Sequence, residues 1–189
     1  LYAHLKQALL AVDSDSSQFI RDSYIALEFM AKEHSQAATI LHGRQKAWDT
    51  HQNHFTEQSV LFEDLFTELD LVIQRADTLG ILDNLTIIVC SETGRSPELN
   101  ISEGKDAWPY TSAMVFGNGI KGAQTLGRTD DYLIGLPYDP IFGTEPPEES
   151  VRLGIEHIMG ALFVKNNIPA PLLIDDEDYQ ILAIMLSQD

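Results

Sequence analysis

The sequence has little of three things: cysteine, basic residues and long apolar stretches. Cys90 is the single cysteine among 189 residues, so no disulfide can form within the chain. Its 12 Lys and Arg residues stand against 29 Asp and Glu residues, which gives a formal net charge of −17. A chain this acidic offers no basic surface to nucleic-acid phosphates, and an anionic membrane repels it. No apolar run reaches the roughly 18 residues that cross a bilayer. We therefore expect no nucleic-acid partner and no membrane span.

Apolar residues are nevertheless plentiful, at 44% of the chain, and their spacing predicts secondary structure. Helical spacing is found over 1–12, 17–34, 55–79, 151–165 and 174–188. Short apolar or β-branched runs predict strands over 37–41, 85–90 and 112–116. The second of these runs does not alternate, which is typical of a strand covered on both faces in a parallel sheet. The same reading makes Cys90, at its end, a small buried hydrophobic residue.

Helices that alternate with buried strands indicate an α/β fold, a layered sheet with helices on both faces. We expect one domain over residues 1–189, with a helical segment at 1–35. If the strands at 37–41 and 85–90 are parallel, the polar segments that follow them lie at the same edge of the sheet. That edge is where we expect a functional site.

The first of these polar segments contains Asp49 and His51, with His54 close behind. Aspartate oxygen and histidine nitrogen suit zinc, manganese or a related divalent ion. The alternative interpretation is that Asp49 caps the helix that begins near Phe55 and that the histidines are solvated. The spacing alone leaves both open.

The second polar segment, residues 91–95, follows the strand at 85–90. Here Arg95, close to the Glu92 carboxylate, could bind an oxyanion or could lock the loop through an ion pair. Asp106 lies farther along, in a segment that by itself reads as a turn with aromatic packing.

Taken in order, these segments resemble an uncharacterised sulfatase-like family of exported bacterial proteins in the alkaline phosphatase superfamily. The resemblance rests on Trp-Asp-Thr-His at 48–51, Ser-Glu-Thr-Gly-Arg-Ser-Pro-Glu-Leu-Asn at 91–100 and Gly-Lys-Asp-Ala-Trp-Pro at 104–109. It continues through Phe-Gly-Asn-Gly-Ile-Lys-Gly at 116–122 and Gly-Arg-Thr-Asp at 127–130. The ordered set, from Trp48 to Asp130, is far more specific than any one piece.

The resemblance implies an incomplete alkaline phosphatase-like core, of which this chain is the C-terminal part, in a periplasmic or exported protein. It implies divalent metal ions (zinc, manganese or calcium) and a small anionic ester as substrate. By position, Asp49, His51, Glu92 and Asp106 correspond to metal ligands or their segments. Arg95 corresponds to a nearby contact with the substrate or to a structural contact, and it is the candidate catalytic residue.

The sequence departs from the family pattern at three points. Ala107 stands where the family has a histidine, and alanine cannot bind a metal ion. Thr93 stands where the family usually has phenylalanine, and no equivalent of the N-terminal nucleophile strand precedes the helical start. Among the remaining histidines, His54 is a better substitute ligand than His42 or His157.

Two hypotheses about function follow. The first is a metal-dependent hydrolase of phosphate or sulfate esters, in which the metal polarises the ester and Arg95 holds one of its oxygens. The second is a non-catalytic relative that keeps the fold as a binding or surface-associated module. Ala107 favours the second, whereas the polar residues that are retained favour the first.

Overall fold

The computed structural model describes residues 6, 12, 16–43, 47–139, 152–168 and 185–186. Over these residues the chain forms three α-helices and four short strands that pair in two antiparallel sheets. The mixed α/β character predicted from the sequence is thus confirmed. The helices predicted at 1–12 and 174–188 fall almost entirely outside the described residues, and the single domain over 1–189 stays a prediction.

The chain divides into two compact units. The first comprises Leu1–Leu85 with Glu98–Asp106, and the second comprises Thr86–Pro97 with Ala107–Asp189. In the described part of the chain, no helix combines the length and the apolar character needed to cross a membrane.

The first unit is built on two helices, α1 (Gln18–Ala31) and α2 (His54–Thr78). Ser17 caps α1, because its Oγ accepts a hydrogen bond from the Ile20 N–H at 3.1 Å. Helix α2 follows Asn53, whose left-handed backbone (φ 45°) turns the chain into the helix without a side-chain cap. Both helices were predicted from their apolar spacing, with ends displaced by a few residues.

The core of this unit lies between α1 and α2. Its buried members are Ile20, Leu27, Val72 and Ala76. Full burial of a leucine or isoleucine side chain contributes about 1.5–3 kcal/mol, so these contacts account for much of the helix pairing. The apolar stripe of α2 is wider than the surface it buries, and Phe55, Phe62 and Phe66 are exposed.

A buried ion pair joins the same two helices. Glu28 of α1 is 2% exposed, and its carboxylate accepts a hydrogen bond from the Arg75 guanidinium of α2. The Arg75 guanidinium also lies over the ring of Tyr24, 5.6 Å from its centre. A carboxylate this deeply buried needs a charged, hydrogen-bonded partner, and Arg75 is that partner.

The second unit contains all four strands. Strand β1 (Thr86–Cys90) pairs with β4 (Ala113–Gly117), from Thr86 opposite Gly117 to Cys90 opposite Ala113. Strands β2 (Gly94–Arg95) and β3 (Ala107–Trp108) form a second, two-residue pair. Both pairs are antiparallel, so the predicted parallel pairing of the 85–90 run is wrong.

Two further predictions about strands are wrong. Residues 37–41 form no strand. Cys90 is exposed rather than buried. The physical reason is the same in both cases: an apolar run shows β-preference but does not show whether neighbouring strands cover its faces. In the two-stranded sheet of β1 and β4, the residues of β1 are only half-buried and its last residue is open to solvent.

Helix α3 (Ile155–Lys165) completes the described part of the second unit. It begins four residues later than predicted, and the acidic segment at 145–150 lies outside the described residues. His157 is 5% exposed, and its Nδ1 accepts a hydrogen bond from the Gly154 N–H at 2.9 Å. This histidine is therefore packed into the helix start.

Candidate metal-binding site

The candidate site is formed by two segments of the first unit, a turn at 49–54 and a loop at 98–106, which we call the site turn and the site loop. Backbone hydrogen bonds join them at several points. The N–H of Lys105 donates to the carbonyl of Thr50 at 3.1 Å, and the N–H of His54 donates to the carbonyl of Glu103 at 2.9 Å. Gln52 and Glu103 form an isolated antiparallel bridge between the same segments. The folded backbone therefore brings together two motifs that are about fifty residues apart in the sequence.

The centre of the site is the imidazole ring of His51, which lies between two carboxylates. Its Nε2 is 3.0 Å from Asp49 Oδ1. Its Nδ1 is 2.7 Å from Asp106 Oδ1, across a separation of 55 residues in the sequence. The side chains are 43–63% exposed, so water reaches all three residues. Three residues that were predicted as site residues are thus in contact.

Gly104 permits this close approach of the two segments. A Cβ atom built at position 104 would overlap the backbone carbonyl of His51. Any side chain at this position would push the site loop away from the site turn, and would separate Asp106 from the His51 ring. The sequence showed Gly104 as part of a motif, but only the packing shows what its lack of a side chain does.

Thr50 anchors the site turn through its buried side chain. It is fully buried, its Oγ1 lies 2.8 Å from His54 Nδ1, and it accepts a hydrogen bond from Gln58 Nε2 at 3.1 Å. One consistent assignment has the Thr50 hydroxyl donating to His54 Nδ1. His54, the predicted substitute ligand, thus uses one ring nitrogen to hold the turn against α2.

An aromatic cluster supports the site turn on the side of Trp48. The Trp48 ring packs edge-on against Phe62 of α2 with 5.1 Å between ring centres. Its Nε1–H donates to the carbonyl of His42 at 3.1 Å, and His42 Nε2 lies 3.2 Å from a carboxylate oxygen of Glu68. His42 therefore belongs to the packing around Trp48. These contacts hold Trp48 in place, and Asp49 is the next residue in the chain.

The remaining predicted residues lie in the second unit. Glu92 is exposed in the loop that follows β1. Arg95 is half-buried in β2, where it pairs with Ala107, the residue that follows Asp106 in the sequence. Their assignments as a metal ligand and a substrate contact stay predictions.

The arrangement of Asp49, His51 and Asp106 limits how many of the three could bind one metal ion. The two carboxylates contact different nitrogens of one ring, and the lone pairs of those nitrogens diverge, so the three side chains cannot surround a single ion. In agreement with this, the described residues contain no group of three or more His, Cys, Asp and Glu side chains that could hold a metal ion. Asp49 and His51 alone can face the same ion, through Oδ1 and Nε2.

Aspartate oxygen and histidine nitrogen are ligand types that a divalent ion accepts. Asp49 Oδ1 and His51 Nε2 are 3.0 Å apart, the separation of a hydrogen-bonded pair, and a tetrahedral ion with metal bonds of roughly 2.0–2.2 Å would hold them about 3.4 Å apart. A histidine that binds a metal ion usually donates its other ring N–H to a carboxylate, which is the position of Asp106.

Comparison with protein-family models gives one result over this part of the chain. A family described as "Protein of unknown function (DUF1501)" matches residues 7–137. The chain belongs to this family. The DUF1501 match includes the site turn, the site loop, and the strands β1 to β4. Searches of curated proteins and of solved structures gave no match.

Proposed function

We propose that this chain contributes a divalent-metal site to a hydrolase of phosphate or sulfate esters. The observation that supports the proposal is the contact of Asp49, His51 and Asp106, three residues that the sulfatase-like resemblance singles out. The alkaline phosphatase-like core and the periplasmic or exported setting belong to the same proposal. They rest on the resemblance alone.

In this proposal Asp49 Oδ1 and His51 Nε2 hold the metal ion, and Asp106 accepts the Nδ1–H of His51. A metal bound there would act as a Lewis acid and stabilise the charge that develops on the ester oxygens. With a metal ion on Nε2, Nδ1 would carry the ring proton and would donate it to Asp106. The exposure of the three side chains leaves room for a small anionic ester and for water.

Zinc and manganese titration of the purified chain tests the proposal. We expect Asp49→Asn and His51→Gln to abolish binding, because each removes one of the two direct ligands. Asp106→Asn should weaken binding by about 10–100-fold, the usual effect of removing an outer carboxylate. Asp64→Asn is a matched control, because this exposed carboxylate of α2 also lowers the negative charge by one.

The outcome that contradicts the proposal is equally concrete. The proposal is wrong if the unmodified chain binds neither ion. It is also wrong if Asp64→Asn weakens binding as much as Asp49→Asn does, because the carboxylates then act only through net charge. Hydrolysis of p-nitrophenyl phosphate and p-nitrophenyl sulfate, measured with the metal present, then separates the two ester classes.

A second candidate function is a non-catalytic binding module, and the observation that favours it is Ala107. This residue is exposed in β3 and has no group that can bind a metal ion. The variant Ala107→His restores the residue that the family pattern has there. A gain in metal affinity together with ester hydrolysis would favour the hydrolase, whereas unchanged affinity and no turnover would favour the binding module.

A further inference from the structure

Asn100 uses its whole side-chain amide within the site loop and across to the site turn. Its Oδ1 accepts hydrogen bonds from the N–H groups of Ser102 at 2.9 Å and Gly104 at 3.0 Å. Its Nδ2 donates to the carbonyl of His51 at 3.1 Å and to Asp106 Oδ1 at 3.4 Å. The oxygen of the amide therefore shapes the site loop, and the nitrogen contacts the candidate site.

Asn100 and His51 contact the same oxygen of Asp106. The same Oδ1 that Asn100 approaches is the oxygen that lies 2.7 Å from His51 Nδ1. The Asp106 side chain is 63% exposed, so the hydrogen bonds that it makes decide its position. An amide that donates to this oxygen and to the His51 backbone restricts both partners of the Asp106–His51 contact.

We infer that Asn100 is a positioning residue: through its Nδ2–H bonds it fixes Asp106 against His51, and so sets which edge of the imidazole faces Asp49. The part of this inference that concerns metal affinity rests on the function proposed above. The part that concerns the orientation of His51 does not require a metal ion.

A purely structural role would leave Asn100 as the residue that closes the site loop. The variant Asn100→Asp separates the two roles. Aspartate keeps oxygens that can accept from the N–H groups of Ser102 and Gly104, but it has no N–H to donate to His51 or Asp106. Asn100→Ala removes both sets of bonds. Asn84→Asp adds the same charge in the short 3-10 turn Leu82–Asn84 and serves as the control.

The first measurement is made on the metal-free protein. Long-range ¹H–¹⁵N spectra of the imidazole report which ring nitrogen of His51 carries the proton. We expect the Nδ1–H signal of the unmodified chain to be lost or averaged in Asn100→Asp, with the melting temperature close to that of Asn84→Asp. Unchanged His51 ring signals in Asn100→Asp would overturn the inference, because the donated bonds would then have no effect on the ring.

The second measurement is zinc affinity. We expect Asn100→Asp to weaken binding about tenfold, the lower end of the effect of removing an outer-shell partner. The added negative charge attracts cations at long range, but the new oxygen would also repel Asp106 Oδ1, which lies 3.4 Å from Asn100 Nδ2. We therefore expect Asn100→Ala, which lacks the N–H and adds no charge, to weaken binding as well. Equal affinity in Asn100→Asp and Asn84→Asp, with a loss only in Asn100→Ala, would also overturn the inference, since loop closure would then be sufficient.

The two failures are distinguishable. If the unmodified chain binds no metal, the proposed function is wrong, but the imidazole spectra of the metal-free protein still decide whether Asn100 orients His51. If the unmodified chain binds zinc and Asn100→Asp behaves as the control does, the metal site stands and the role of Asn100 is wrong.

Discussion

The first unit contains two assemblies that are held together in opposite ways. The α1–α2 pair is joined by buried apolar side chains and by the ion pair of the buried Glu28 with the partly exposed Arg75. The site turn and site loop are joined by backbone and amide hydrogen bonds, and their charged side chains are exposed. The difference separates two tasks: the helix pair buries the apolar core of this unit, whereas the turn and loop fix the positions of a few polar atoms.

The largest effect on this comparison should come from Arg75→Met. This change leaves the Glu28 carboxylate buried without its partner, and breaking such a pair typically costs about 3–5 kcal/mol. Chemical denaturation should show a loss of that size, while any zinc affinity of the folded fraction should stay unchanged. The double variant Glu28→Gln with Arg75→Met should recover part of the loss, because no charge is then left in the core. A single variant as stable as the unmodified chain would contradict the view that the pair holds the helices.

Gly104→Ala should disturb the candidate site and leave the helix pair intact. The added methyl group overlaps the His51 carbonyl, so the site loop must move. Overpacking of this kind costs about 1–3 kcal/mol. We expect the contact between Asp106 and His51, and any zinc affinity that depends on it, to be lost while helix content measured by circular dichroism stays constant. Gly122→Ala is the control, because a Cβ there meets nothing within 4 Å. Full zinc affinity in Gly104→Ala would show that the close approach is not needed.

Thr50→Val should have the smallest effect on stability and should affect both assemblies. Valine keeps the shape of the buried side chain but loses the hydrogen bonds to His54 and Gln58. Each of the two lost hydrogen bonds costs about 0.5–1.5 kcal/mol. We expect a modest drop in melting temperature and a weaker zinc affinity, since the turn that carries Asp49 and His51 loses its anchor on α2. Thr50→Ser keeps the hydroxyl and should preserve the zinc affinity. Equal behaviour of the two variants would show that the hydroxyl does not anchor the turn.

The two assemblies also differ in how far the sequence predicts them. Helical spacing of apolar residues is a local property, so α1 and α2 could be predicted closely from their own residues. Asp49, His51 and Asp106 could be singled out as polar residues in recognisable motifs. Their contact depends on backbone pairing between segments about fifty residues apart, which no local pattern contains. For the same reason the sequence assigned no role to Asn100, although this residue is part of a motif. The hydrogen bonds of its amide depend on four partners that only the folded chain brings together.

The pairing and the burial of the strands in the second unit could not be predicted from the sequence. The run at 85–90 does form a strand, but neither its antiparallel partner nor the exposure of Cys90 follows from its composition. β-Preference describes a side chain's fit to a pleated surface, and the neighbours that complete that surface are set by the whole fold. The prediction of a parallel sheet therefore went beyond what the run itself contained.

The chain has two tryptophans, and each unit holds one of them. Trp48 packs against Phe62 beside the site turn, and Trp108 in β3 donates its Nε1–H to the carbonyl of Leu133 at 3.1 Å. Replacing Trp108 with phenylalanine leaves the Trp48 indole as the sole tryptophan fluorophore, and replacing Trp48 leaves the Trp108 indole. The chain can thus report the melting of each unit by its own emission, without any attached dye.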